Sequence, residues 1–219
     1  MSPPTFCPPE IEPALITTGV YHARHAASVP GEDGRMNPAA TYSSQVAAAS
    51  VRVEPCTGEV TVDSFILVYD CGTVVNPLAV KGQIQGSFAQ GLSAVLFEEL
   101  PYEKGRPANT TLADYLVARA VDVPPVRAIE HATISSLPGG VRGIGQIATI
   151  LAPAAIANAI ENALGPLGIT IRQTNLAPEA LRRIVDKTGI PRDPVTAARR
   201  LETNPAAAHQ HTDHQTESA

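Results

Sequence analysis

Two β-rich runs open the readable pattern of this chain. Val46 to Glu54 sets Val46, Val51 and Val53 among small residues, and Glu59 to Tyr69 carries Val60, Val62, Phe65, Leu67 and Val68. A Pro55-Cys56-Thr57-Gly58 turn joins them, so the pair reads as a β-hairpin. Asp70-Cys71-Gly72 then breaks the second strand. Asn76 followed by Pro77 combines a capping side chain with proline at the first helical position, which predicts a helix from about Leu78 to Leu96. Beyond it the pattern predicts a strand near Leu96–Tyr102, a short helix around Leu112–Val117 and a strand at Val126–Ser135. After a glycine-rich stretch, Ile156, Ala159, Ile160, Ala163 and Leu164 make one apolar stripe over Ala152–Leu164. Pro153 opens that helix and Gly165-Pro166 stops it. Gly168–Arg172 reads as a strand and Pro178–Asp186 as a last helix.

The flanks differ from this middle. Residues 1–38 carry Pro, Gly, His and small residues without a clean period and read as a lead-in arm. Residues 39–188 form the domain, and 189–219, polar and rich in Ala, Thr and His, read as a disordered tail. The 219 residues suit one domain or a little more at about 150 residues each. A net charge of −5 argues against a general nucleic-acid binder, which needs a positive field to displace counterions. No run approaches the roughly 18 apolar residues of a membrane span, and the N-terminus has neither the basic nor the apolar region of a secretory signal. Cys7, Cys56 and Cys71 include no C-x-x-C pair, which argues against a disulfide framework, a metal site or an iron–sulfur cluster on this chain. The expectation is a cytoplasmic protein with reduced thiols, no membrane and no nucleic acid.

Two stretches cost stability and therefore ask for a reason. Gly82, Gly86 and Gly91 all fall inside the helix after Asn76, and each costs about 1 kcal/mol relative to alanine there. Something is expected to approach that face closely. Gln83 and Gln90, seven residues apart on one face, can offer donors and acceptors without charge; the plainer reading makes them the rim of a tight helix contact. The second stretch is the loop Pro138 to Thr149, containing Gly143-x-Gly145-Gln146 before a helix. Backbone N–H groups at such a place suit an anion. A dinucleotide fingerprint fits poorly, because Leu137-Pro138-Gly139-Gly140 interrupts the strand that should lead in. Arg142 beside the loop either steers an anion or is simply solvated. Asp70 and Asn76 are expected to shape a turn and cap a helix, and Cys71 to be a buried inert thiol. His209, His211 and His214 in the tail suggest only adventitious metal binding.

Taken together, Asp70-x-Gly72, Asn76-Pro77, Gly82-Gln83-x-x-Gly86, Gln90-Gly91 and Gly143-x-Gly145-Gln146 lie in an order and spacing that resembles the C-terminal half of the molybdenum hydroxylase large subunit. Thr57-Gly58-Glu59-Val60 upstream and Ala152-Pro153 with Ala157-Asn158-Ala159 downstream extend the likeness from about Tyr42 to Asp186, with a weak addition at Ile11–Tyr21. That family includes xanthine dehydrogenase, aldehyde oxidase and bacterial carbon monoxide dehydrogenase.

The resemblance implies an α+β fold, the C-terminal part of the second of two domains that enclose a molybdopterin cofactor carrying molybdenum, in the cytosine dinucleotide form. It implies cofactor contacts at Gln83, Gly86, Gln90, Gly143 and Gly145, and no protein ligand to the metal. Iron–sulfur clusters and FAD would sit in partner subunits, and a further partner would carry the first molybdopterin-binding domain. The implied reaction hydroxylates an aldehyde or an aromatic heterocycle with oxygen from water. The family's catalytic glutamate, which takes a proton beside the molybdenum, falls at Gln146. An amide does not titrate, so Gln146 is either an orienting group or the mark of a decayed site. The alternative is a non-catalytic assembly protein that keeps the fold. The first cofactor-binding domain is expected to lie outside this chain.

Overall fold

A computed structural model of the chain describes residues 18–20 and 29–197. Cys7 and the tail histidines lie outside the described residues, as does most of Ile11–Tyr21. The chain divides into two compact units, Met1–Ala40 and Thr41–Ala219. In the first, the described residues include a turn closed by the Gly31 N–H on the Arg35 carbonyl (2.8 Å) and by the Arg35 N–H on Asp33 (3.0 Å).

The second unit is α+β. Strands β1 (Gln45–Val53) and β2 (Val60–Tyr69) form the expected antiparallel hairpin, and β5 (Val126–Glu130) adds to β2 in parallel, giving the order β1-β2-β5. In the register, Ser50 pairs with Ser64 and Val51 with Val62, which leaves Asp63 as an extra residue in β2. This bulge shifts the alternation by one. Val62 before it and Phe65, Leu67 and Tyr69 after it are therefore all buried. The facing positions of β1 include Ala47 and Ala49, small residues that pack against the core and let a helix lie close.

Two helices cover this face. α1 runs Pro77–Leu96, with the Asn76 side chain accepting from the N–H groups of Leu78 (3.0 Å) and Ala79 (3.1 Å). Its buried row Val80, Ile84, Phe88, Leu92 and Val95 follows helical spacing, and the Phe88 ring lies 4.4 Å from that of Phe65. Each such side chain contributes about 1.5–3 kcal/mol by leaving water. α2 runs Ile147–Ala163, earlier than the sequence pattern suggested, and buries Ala148, Ala152, Ile156 and Ile160 at intervals of four. Pro153 thus sits inside the helix and does not open it. It has no N–H for the Thr149 carbonyl, and its ring lies against α1 at Gly91. A Cβ built on Gly91 would meet Ala152 Cβ at 2.9 Å, and Pro153 Cδ and the Thr149 carbonyl at 3.2 Å each. Here the expected close approach is real. At Gly82 and Gly86 no described atom beyond the sequence neighbours and the adjoining backbone of α1 lies within 4 Å of such a Cβ.

Other expectations shrink. In place of a strand over Leu96–Tyr102, Ser93 accepts the Phe97 and Glu98 N–H groups to close α1, and only the short hairpin β3 (Tyr102–Glu103) with β4 (Arg106–Pro107) follows. Leu112–Val117 makes a turn and no helix: the Tyr115 N–H reaches Thr111, whose hydroxyl binds Asp114. β5 stops at Glu130, five residues short of Ser135, because Thr133 turns in to bind Asp70. Gly168–Arg172 has no strand partner; Glu161 of α2 accepts its Ile171 N–H at 2.6 Å. α3 (Pro178–Asp186) forms where expected. Packing continues past Gly189: Ile190 and Ala197 are buried, and a helical turn begins at Pro194. Arg182 of α3 is buried, bonded to the carbonyls of Pro55 and Ile190 and to Asp186, and so ties the hairpin turn to α3 and to this segment. No described helix is long and apolar enough to cross a membrane.

Asp70, at the end of β2, is 6% exposed and organises the exits from the sheet. Its carboxylate accepts the Gly72 N–H (2.8 Å), the Thr133 N–H (3.1 Å) and the Thr133 hydroxyl, and it faces Arg142 Nε at 3.3 Å. Gly72 has a positive φ of 62°, and a Cβ there would lie 2.1 Å from the Gly140 carbonyl, so the glycine is required for this crossing. The Thr133 hydroxyl above all, then the Gly72 N–H, hold the Asp70 carboxyl at about 2, below its ordinary 3.8.

Two outcomes follow from this packing. Gly91→Ala should lower stability to urea by about 1–2 kcal/mol, since overpacking outweighs the gain in helix propensity, whereas Gly86→Ala should raise it by about 1 kcal/mol; equal effects at both positions would show that the helix crossing is loose. A carboxyl whose pKa is lowered by folding adds stability that is present above its unfolded value of 3.8 and is lost as pH falls through about 2. Asp70→Asn should therefore lower stability at neutral pH and flatten its decline in that acid window, measured by denaturation at a series of pH values. An unchanged acid slope would contradict the assignment.

Candidate functional site

The glycine loop of residues 143–146 is positioned from both sides. On one side Arg142, with its side chain 20% exposed, pairs with Asp70 and also donates to the Tyr42 carbonyl (2.9 Å) and to the Thr133 hydroxyl (3.0 Å). It is not a solvated arginine: it anchors the loop. The Ser43 hydroxyl binds the Gly143 carbonyl. On the other side the loop meets α1: Gln83 Oε1 accepts the Gln146 N–H at 3.2 Å and lies 3.9 Å from where a Gly145 Cβ would be.

Gln146 is the residue before α2 and adopts the left-handed conformation, φ 57° and ψ 27°. Among the described residues only Lys104 and Gln146 are non-glycines with positive φ. Such a conformation costs on the order of 1 kcal/mol and persists where its surroundings enforce it. The enforcing contacts are visible. Gln83 holds the backbone N–H, and the Thr149 N–H reaches the Gln146 carbonyl at 3.2 Å. Ser87, one turn along α1 from Gln83, accepts the Ala148 N–H at 3.1 Å.

Of the expected site residues, the fold therefore joins Gln83 to Gly145 and Gln146. Gly86 lies one turn further on the exposed face of α1, and at Gly143, as at Gly86, no described atom beyond its own chain neighbours and helix backbone lies within 4 Å of a Cβ position, so both leave backbone open to an approaching group. Gln90 is exposed, and no hydrogen bond connects it to the loop. A cavity of about 220 Å³ lies between the start of α1 and the loop, lined by Cys71, Ala79, Gln83, Val141 and Ile144 among others. Burial above all pushes the Cys71 thiol pKa up, so it lines this cavity as a neutral, unreactive group. No group of three or more His, Cys, Asp or Glu side chains suited to a metal occurs among the described residues. Ser87, Thr149 and the Asp70–Thr133–Arg142 cluster escaped the sequence reading. The one available signal was spacing: Ser87 follows Gln83 by four, and Thr149 follows Gln146 by three.

Comparison with known proteins shows what the chain is similar to. The family model described as "Molybdopterin cofactor-binding domain" matches residues 8–124, a span that begins before Tyr42, includes Gln83, Gly86 and Gln90, and ends before the glycine loop. The nicotine 6-hydroxylase large subunit of Paenarthrobacter nicotinovorans is 38% identical over 149 residues, 65% of this chain and 18% of that protein. Quinoline 2-oxidoreductase from Pseudomonas putida 86 is 39% identical with a TM-score of 0.60, over 63% of this chain and 18% of that one. The aldehyde oxidoreductase from Desulfovibrio gigas is 30% identical with a TM-score of 0.63, over 70% and 16%. The chain thus spans about a fifth of the length of the curated relatives it matches. By the matched span, the shared α+β architecture and these relatives, the chain belongs to the molybdopterin cofactor-binding domain family of xanthine dehydrogenase/aldehyde oxidase-type large subunits.

Proposed function

We propose that this chain is the molybdopterin-binding component of a molybdenum hydroxylase, an oxidoreductase that hydroxylates an aldehyde or an aromatic heterocycle carbon with oxygen from water. The observation that supports it most is the 3.2 Å contact between Gln83 and the Gln146 N–H, which makes the α1 amide and the glycine loop one surface. The names of the relatives, a nicotine hydroxylase, a quinoline oxidoreductase and an aldehyde oxidoreductase, supply the reaction class. In this reading a partner chain carries the first molybdopterin-binding domain and closes the site, and iron–sulfur and FAD subunits take the electrons onward. The cofactor is the cytosine dinucleotide form, and the complex is cytoplasmic.

The residues present fit such a group. Gly86 and Gly143 leave open backbone where a Cβ would otherwise stand, and the Gln83 amide, its oxygen held by Gln146, keeps its NH2 for a pterin acceptor. Gln90 would be a further amide contact along the same helix, and Gly145 lies beside Gln83, where a Cβ would be 3.9 Å from Oε1. When bound, the cofactor supplies the oxygen-activating centre and the two-electron acceptor. The chain holds and orients it by uncharged hydrogen bonds, which cost little desolvation. At Gln146 the chain offers a side chain that neither takes up nor releases a proton. That same observation favours the second reading, a non-catalytic assembly protein of this family.

Gln146→Glu separates the two. A general base contributes about 10²–10⁴ in rate, so in the assembled complex this variant should raise kcat by about two to four powers of ten, with a smaller change in KM. Steady-state dye reduction at equal molybdenum loading is the measurement. A fast wild type to which the glutamate adds nothing would show that another group is the base. No turnover by either protein at full loading would support the non-catalytic reading.

A further inference from the structure

Thr149 Oγ1, on the first turn of α2, stands 3.0 Å from the Ser87 carbonyl oxygen of α1 and 2.8 Å from the Gln146 side-chain amide, at the atom placed as Oε1. A hydroxyl carries one proton, and a carbonyl oxygen only accepts. The Ser87 hydroxyl offers no alternative donor, since it donates to the Ile84 carbonyl (3.2 Å) while accepting the Ala148 N–H. If Thr149 gave its proton to Gln146, its oxygen would face the Ser87 carbonyl at 3.0 Å with nothing between them. If it gave its proton to Ser87, it would face Oε1 in the same way. Rotating the amide by 180° removes the conflict, because the oxygen and nitrogen of a glutamine are interchangeable in shape. Thr149 then donates to Ser87 and accepts from Gln146 Nε2.

We propose that Thr149 is a positioning residue that takes an N–H from the Gln146 side chain and so turns the Gln146 carbonyl oxygen outward, as the acceptor the site presents. This deepens the proposed function and rests on it in one respect, namely that Gln146 faces the reacting ligand. The consequence is a chemical class. An outward acceptor suits a ligand with an N–H or O–H at this point, such as a ring N–H or a hydroxyl-bearing heterocycle. It disfavours an aldehyde carbonyl, since two acceptors would then oppose each other.

The orientation is testable on the full-length chain without cofactor. In the ¹⁵N-labelled protein the Gln146 side-chain NH2 signals are assigned by their loss in Gln146→Glu, and their hydrogen exchange is compared in wild type, Thr149→Ser and Thr149→Val. One Gln146 amide proton should exchange about five- to tenfold more slowly in wild type and Thr149→Ser than in Thr149→Val, the factor for one net hydrogen bond. A purely structural role for the threonine would not be restored by serine in this signal alone. Should Thr149→Val fail to fold, the exposed Gln90 amide of the wild type is the standard. Equal exchange at Gln146 and Gln90, or in wild type and Thr149→Val, would overturn the proposal. Because no cofactor is involved, this result is independent of molybdopterin binding, whose failure would sink only the proposed function.

Discussion

Asp70 accepts three hydrogen bonds from two separate segments and pairs with an arginine on a third. Burying a carboxylate is costly unless its partners replace water, so these segments are bound to meet. The consequences run outward. Thr133 must leave the sheet to reach the carboxylate, which ends β5. Gly72 must take a left-handed turn to let Gly140 pass. Arg142 must approach, and it brings the glycine loop to the open end of the sheet. A charge at a strand end thus fixes where the glycine-rich segment begins.

Where that segment ends is set by α1 and α2. Gly91 gives the two helices their close crossing, and the proline inside α2 removes an N–H at the turn that faces it. At this separation Gln83 reaches the loop and Ser87 reaches the first turn of α2. Gln146 is caught between fixed ends and takes a left-handed conformation that a glycine would adopt at lower cost. The strain and the hydrogen bonds that hold it mark the loop as a place where position matters.

The hairpin, α1 and α3 were legible because their signals are local: a turn, a cap, a period. The family was legible from the spacing of glycines and glutamines. What could not be read depended on distant partners. The pattern places Pro153 at a helix start because it sees no reason for an earlier one, and the reason is Ser87, sixty-one residues away, binding the Ala148 N–H. Gly168–Arg172 looks like a strand but finds no neighbour, since the sheet has its three strands elsewhere and Glu161 holds the segment. The glycines of α1 carry the same lesson: one serves a crossing within the chain, and two face outward. Arg142 gave no sign of its anchoring role, because Asp70 lies far from it in sequence.

The site therefore combines a firmly held loop with an uncharged side chain where the resemblance implies an acid–base group, and the central claim is that this loop and Gln83 together bind the molybdenum cofactor. Amide hydrogen exchange of the assembled complex, with and without the cofactor, tests that claim most directly. The account predicts that cofactor slows exchange over residues 143–148 and in the first turns of α1, while β1 and α3 stay unchanged. Equal exchange over residues 143–148 in the loaded and unloaded complexes would contradict it.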